Sequence, residues 1–291
     1  MDGFTVLDKA PGMTSFRASA FLRKIYGEKK VGHTGTLDPM ATGVLPVALG
    51  KASRFISFLP DHDKGYTAHL KFGITTDTLD ITGNILSQTD ANVSAAELEN
   101  VLGSFRGHIM QVPPMYSALS KDGVKLYKLA RQGIEVEREA REVDIYSLEL
   151  TGEDENGFEI SVECSQGTYI RSLIADIGEA LGCGAVMTAL RRTRSNGFTL
   201  DDAFTEEELK ASPAECVMSI DKPFEKLPEI TVSPAQAVRF SNGGELDVQR
   251  LKIQRIFSLF RIYSPERVFL GLGEITEENP GILAAKRVVG K

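Results

Sequence analysis

Gly32-His33-Thr34-Gly35-Thr36-Leu37-Asp38-Pro39-Met40-Ala41-Thr42-Gly43 is the stretch on which the reading of this chain turns. Twelve residues with three glycines, three threonines, one histidine and one aspartate do not sustain a regular helix or strand, so a loop is expected. Such a loop gathers backbone N–H groups, hydroxyls and a single carboxylate. A phosphate cradle is the first chemistry to test, and the spacing fails it. In GxxxxGK[ST] the second glycine falls on Leu37, and GxGxxG fails as well. Proline disfavours helical backbone at the residue before it, so Asp38 is held extended or in a turn and presents its carboxylate rigidly. Asp38 also suits an Asx-turn that merely caps local backbone, the plainer reading when spacing alone is weighed.

Working outward, Phe4 to Leu7 reads as a strand running into the turn Asp8-Lys9-Ala10-Pro11-Gly12. Thr14 or Ser15 caps a helix whose buried stripe is Ala18, Phe21, Leu22 and Ile25, and Gly27 stops it. Tyr66, Ala68, Leu70, Phe72 and Ile74 alternate with polar or small residues, the period of a half-buried strand. Ser94 with Glu97 forms a capping box for a helix carrying Leu98, Val101 and Leu102. Phe158 to Cys164 alternates as a second long strand, and Ile170 to Leu181 reads as a helix closed by Gly182. Between them, Gln166-Gly167-Thr168-Tyr169-Ile170-Arg171-Ser172 spans a strand-to-helix junction, where sites are commonly built. Arg171 either pairs with a carboxylate there, orienting it and keeping it ionised, or points to solvent. Tyr66 reads first as a core tyrosine with one hydroxyl partner. In Arg191-Arg192-Thr193-Arg194, strand alternation puts Arg192 and Arg194 on one side, suited to a phosphodiester backbone or to a solvated edge.

The chain has 291 residues and a formal charge of −7, room for one large domain or two. Net acidity alone argues against a nucleic-acid partner. Its distribution says otherwise. Residues 1–60 hold eight Lys and Arg against four Asp and Glu, a net +4, while the other 231 hold 25 against 36, a net −11. Three scattered cysteines and four histidines without HxxxH spacing give neither a disulfide framework nor a metal site. The N-terminus lacks a signal-peptide layout and Ala41 to Gly50 is too short to span a membrane, so a cytoplasmic, metal-free protein is expected. A boundary is expected near 222–230. Beyond it the short β-rich runs Ile230–Val232, Phe257–Tyr263, Val268–Leu272 and Ile282–Val289 suggest a small barrel-like module.

The glycine-threonine loop with Ala41-Thr42-Gly43-Val44-Leu45 resembles the second motif of one group of pseudouridine synthases, whose bacterial members act on uridine 55 in the tRNA T-loop. Asp8-Lys9 with Gly12-Met13-Thr14-Ser15, Lys64-Gly65-Tyr66, Asp77-Thr78-Leu79-Asp80, Pro113 to Ala118, Gly167 to Arg171 and Leu190 to Thr193 follow in that family's order. The tail, ending Leu283-Ala284-Ala285-Lys286-Arg287-Val288, is similar to its PUA-type module. The resemblance implies an α+β pseudouridine-synthase fold: a mixed, mainly antiparallel sheet flanked by helices over residues 1–228, and a PUA-like β-barrel over 229–291 that binds RNA. It implies Asp38 as nucleophile or C2′ base, Arg171 as its partner, and Tyr66 as the ring that stacks on the base and takes the C5 proton. It implies substrate-binding or supporting roles for Lys9, His33, Thr36, Asp80, Leu190 and Arg192. No cofactor is implied, and the partner is tRNA bound by a monomer. Two rivals remain: a non-catalytic RNA-binding or tRNA-folding protein, and a phosphate-handling enzyme using the same loop.

Overall fold

A computed structural model describes residues 1–251, 253 and 258–290. Phe257, the expected start of a C-terminal strand, lies outside the described residues. The chain has an α+β fold organised on a nine-stranded sheet. Its main path runs Gly3–Lys9, Thr42–Leu49, Ala185–Ser195, Lys64–Phe72, Gly157–Cys164, Arg141–Asp154 and Gly107–Gln111. Val31–His33 adds to Thr42–Leu49, and Phe198–Thr199 adds to Ala185–Ser195. The expected loop is therefore shorter than its composition suggested, because its two ends enter strands.

Thr42–Leu49 and Ala185–Ser195 pair in parallel, through Arg191 opposite Thr42 and Arg192 opposite Gly43. The other pairings in this sheet are antiparallel. At this junction Gly43 has φ +97, and a Cβ on it would sit 2.2 Å from the Arg192 carbonyl oxygen, so only glycine lets the two strands meet. The loop bearing Asp38 leads directly into this point.

Helix Ser15–Tyr26 starts where Thr14 accepts a hydrogen bond from the Arg17 N–H at 3.1 Å, and ends at Gly27 with φ +60. It shares one face of the sheet with helices Ala95–Leu102 and Ile170–Ala180, over a core that includes Leu22, Leu70, Leu102, Leu173 and Ile177. Fully buried Phe55 anchors the opposite face. Its ring meets Phe224 and, on the C-terminal sheet, Phe269, with centroids 6.2 and 5.8 Å apart. That five-stranded sheet (Glu229–Thr231, Ser258–Tyr263, Phe269–Ile275, Ile282–Val288 and Leu246–Asp247) carries helix Pro234–Ser241 and its own apolar core around Phe240 and Ile262, an arrangement that fits a PUA-like module.

Two strand readings need correction. The tyrosine strand stops at Phe72, because Gly73 turns at φ +81 and donates its N–H to Gly184; Ile74–Thr76 then pairs with Ile85–Gln88 in a separate ribbon. A bulge between Arg192 and Arg194 breaks the alternation expected of the arginine run. The consequences are large: Arg192 is wholly buried, while Arg194 is spent on ion pairs with Asp61 and Glu163 at 2.7 and 2.6 Å.

Candidate active site

Asp38 sits in a cavity of about 270 Å³ that also takes in Thr36, Tyr66, Tyr116, Arg171 and Leu190. Arg171, on the first turn of helix Ile170–Ala180, grips the carboxylate with both arms: Nε to Oδ2 at 2.9 Å and Nη2 to Oδ1 at 3.1 Å. This is the fork-on-fork geometry that fixes a carboxylate in one plane. The guanidinium is itself held, donating to the carbonyl oxygens of Thr78 at 2.9 Å and Tyr116 at 2.8 Å, with Asp80 Oδ2 3.7 Å from Nη1. Its side chain is 6% exposed and that of Asp38 is 32%, so the open side of the pair is the carboxylate facing the cavity. Burial pushes the Asp38 pKa above the ordinary carboxylate value. Arg171 pulls against this, Asp80 adds to it, and Lys9 pulls down. A carboxylate made more basic in this way, yet fixed by a cation, is a better nucleophile or base than one on the surface.

Three predicted site residues, Lys9, Arg192 and Asp80, stand behind the cavity wall and bond to the protein's own loops. Lys9 is completely buried and donates to the carbonyls of Ala10, Met13 and Pro39 at 3.0, 2.7 and 3.2 Å, tying the first motif to the Asp38-Pro39 step. Burial pushes its pKa down to about 8, although Asp38 pulls it up. Arg192 donates to the carbonyls of Val44, Thr36 and Gly35 at 2.8, 3.3 and 3.2 Å, so it clamps the Asp38 loop from beneath. Its charge also acts on the Tyr66 hydroxyl, favouring the phenolate against burial. Asp80, 5% exposed, accepts from Thr82 N–H and Thr78 Oγ1, each at 3.0 Å, and so closes the turn whose Thr78 carbonyl holds Arg171.

Tyr66, Thr36 and Leu190 line the cavity as expected. His33 does not; it lies on the short strand beside Val47, with a buried Nδ1 that has no partner among the described residues. The Tyr66 ring is buried, and its hydroxyl pKa is pushed up to about 12 by that burial, with Arg192 opposing. Ser15 Oγ bonds both the N–H and the carbonyl of Leu37, at 2.8 and 3.1 Å, adding a third brace to the loop. Tyr116, Tyr169 and Lys64 also line the cavity and were assigned no part in the sequence. The signal for Tyr116 was Pro113-Pro114, which stiffens the segment that lends its carbonyl to Arg171. The arrangement leaves a slot between an aromatic ring and a leucine, with one oriented carboxylate at its edge. That suits a flat base on a sugar.

The TruB family pseudouridylate synthase N-terminal domain matches residues 23–170. The tRNA pseudouridylate synthase B C-terminal domain matches 171–224, and the pseudouridine synthase II TruB C-terminal domain matches 228–289. The chain is 45% identical over 283 residues to tRNA pseudouridine synthase B of Clostridium perfringens, covering 96% of each, and 45% identical over 293 residues to that of Azoarcus sp., covering 99% of this chain and 95% of the other. Among solved structures, an H/ACA RNP bound to a substrate RNA containing 2′-deoxyuridine superposes with a TM-score of 0.73 at 26% identity, over 99% of this chain and 84% of that one. A Cbf5-Nop10-Gar1 complex gives 0.73 at 28% identity, with the same coverage. With these matches over nearly its whole length, the chain belongs to the TruB family of pseudouridylate synthases.

Proposed function

We propose that this protein isomerises uridine to pseudouridine at position 55 in the T-loop of tRNA, acting as a cytoplasmic monomer without a cofactor, with residues 1–228 catalytic and 229–291 binding RNA. The observation that carries the reading is the Asp38 carboxylate, pinned by buried Arg171 and open to a cavity of nucleoside size. The C1′–N1 bond breaks, the base turns, a C1′–C5 bond forms, C5 loses its proton and N1 gains one. Nothing is exchanged with a second substrate. Asp38 adds to the sugar or the base and leaves again, or removes the C2′ proton. Tyr66 stacks on the base. Its phenol is neutral near pH 7, so taking the C5 proton requires it to give up its own, and the Arg192 charge stabilises the phenolate involved. The uridine must first leave the RNA stack, at a cost of a few kcal/mol.

A binding-only role fits these residues less well. An ionised carboxylate facing the cavity repels phosphate and contributes nothing to RNA affinity, and its burial works against its own charge. The test is tritium release from 5-tritiated uridine in unmodified tRNA, with and without a chelator. Wild type releases tritium in both conditions. Asp38→Asn releases none while still retaining tRNA on a filter. Substantial release by Asp38→Asn, or a requirement for magnesium or a nucleotide, overturns the assignment.

A further inference from the structure

The arginine run expected to meet RNA is occupied: Arg191 pairs with Asp8 at 2.8 Å, Arg192 is buried, and Arg194 is paired twice. Uncompensated positive charge lies elsewhere, on helix Ser15–Tyr26, which contains no acidic residue. Its buried side is Ser15, Ala18, Ser19 and Leu22. Its outward side is Phe16, Arg17, Ala20, Arg23 and Lys24, all exposed and all within one helical face at 100° per residue. Arg17, Arg23 and Lys24 form no ion pair and no side-chain hydrogen bond among the described residues. Phe16 is 75% exposed, the highest value among the exposed large apolar side chains described. Isolated exposed apolar residues are ordinary. This one is placed unusually: its neighbour Ser15 is 2% exposed and bonded to Leu37, the residue before Asp38. The ring therefore stands at the end of the helix nearest the reactive carboxylate, with the cations running away from it over about 12 Å.

We propose that this helix face is an RNA-docking surface. Phe16 stacks on a nucleotide beside the flipped uridine, and Arg17, Arg23 and Lys24 follow the phosphate backbone away from the cavity. Charge complementarity selects the occupant: three unpaired cations, a small Ala20 that lets a backbone approach, and an aromatic ring together suit a single strand. The assignment rests on the tRNA reading above. It also explains how a chain of net charge −7 holds an anionic substrate.

Equilibrium tRNA binding by filter retention, and KM with kcat from tritium release, are measured for wild type, Phe16→Ala, Phe16→Tyr, and a triple variant carrying Arg17→Gln, Arg23→Gln and Lys24→Gln. Lys71→Gln, an exposed cation on strand Lys64–Phe72, serves as the charge control. Phe16→Ala weakens binding about 5- to 100-fold, the range for loss of one base–aromatic stack, and Phe16→Tyr restores it. The triple variant lowers the slope of log affinity against log salt by about 2, as expected for three lost phosphate contacts. The losses fall on Kd and KM, and thermal melts stay close to the wild-type value because the altered side chains are exposed. The proposal is overturned if Phe16→Ala and the triple variant bind tRNA within twofold of wild type, or if Lys71→Gln weakens binding as much as the triple variant. A wild type that binds tRNA but releases no tritium overturns the isomerase reading instead, and the Kd comparison still decides the helix face.

Discussion

Replacing Arg171 by lysine keeps a positive charge in place and removes the geometry, which makes Arg171→Lys the sharpest test of the site. The guanidinium makes four short contacts, two to Asp38 at 2.9 and 3.1 Å and two to the carbonyls of Thr78 and Tyr116 at 2.9 and 2.8 Å. An ammonium presents its donors from one point and cannot span a carboxylate and two carbonyls on different segments. Losing two charge-assisted hydrogen bonds at about 1.5–3 kcal/mol each costs roughly 3–6 kcal/mol of stability, with no discount for solvent at a side chain 6% exposed. For a chain of this size that lowers the melting temperature by roughly 10 °C. Catalysis suffers separately. A carboxylate free to move by about 1 Å loses about 100-fold in rate. The acid limb of the pH profile also moves. Asp38 must be ionised to act, its pKa is already above the ordinary value through burial, and Arg171 is the strongest influence holding it down. Weakening that hold raises the pKa further, so the variant loses activity at a higher pH as the solution is acidified. Single-turnover tritium release between about pH 5 and 8, alongside a thermal melt, reads both effects. A variant that melts lower but turns over within about threefold of wild type, with an unmoved acid limb, would refute the claim that the bidentate clamp matters to the chemistry.

Tyr66→Phe preserves the stacking ring and removes the proton acceptor, so tritium release falls about 10²- to 10⁴-fold while tRNA affinity changes little; normal turnover removes Tyr66 from the proton transfer. Lys9, with a pKa near 8, uses all three of its donors on loop carbonyls, and deprotonation removes one. A single lost bond of about 1 kcal/mol predicts an alkaline limb of about fivefold centred near that pH, and a wild-type profile flat through pH 8–9 refutes it. Asp176 has its pKa raised to about 6 by burial, with Glu179 adding to the rise. Its folded value exceeds its unfolded one, so the charged form is penalised above pH 6 and the penalty disappears as pH falls toward about 4. Asp176→Asn accordingly stabilises the protein by up to roughly 3 kcal/mol at pH 7.5 and by nothing near pH 4. Melts that coincide at both pH values would show that Asp176 is solvated.

Much of the site was legible before the fold was known, and the reasons differ by residue. Composition singled out the loop that carries Asp38, but spacing alone fitted an Asx-turn at least as well, and the family resemblance supplied the role. The switch between period-2 and helical spacing placed Arg171 at a strand-to-helix junction, and the resemblance, not the spacing, chose its carboxylate partner over solvent. The burial of Lys9, Asp80 and Arg192 was not legible, each for the same physical cause. A charged side chain in a sequence is presumed solvated, and the groups that justify burying these are backbone carbonyls and hydroxyls of distant loops, which leave no mark on local pattern. The bulge at Thr193 and the Gly73 turn also depend on strands more than a hundred residues away. Helix Ser15–Tyr26 and its cap, by contrast, rest on interactions within four residues and were correctly placed.

The buried cations explain how an irregular site becomes rigid. Loops carry few backbone hydrogen bonds of their own, yet the Asp38 loop, the Thr78 turn and the Tyr116 segment must hold a carboxylate to within a fraction of an ångström. Lys9, Arg171 and Arg192 accomplish this by donating between them to eight carbonyls on those segments and their neighbours. Burying three cations is unfavourable, and the lowered pKa values of Lys9 and Arg192 are the mark of it. Carbonyl dipoles offset part of that cost, and Asp38 with Asp80 supplies the countercharge. The balance binds function to fold: neutralising Asp38 leaves the cations short of an anion, and removing a cation frees the loop. Near neutral pH the cluster is strongest when the nucleophile is ionised, which is the state the reaction requires.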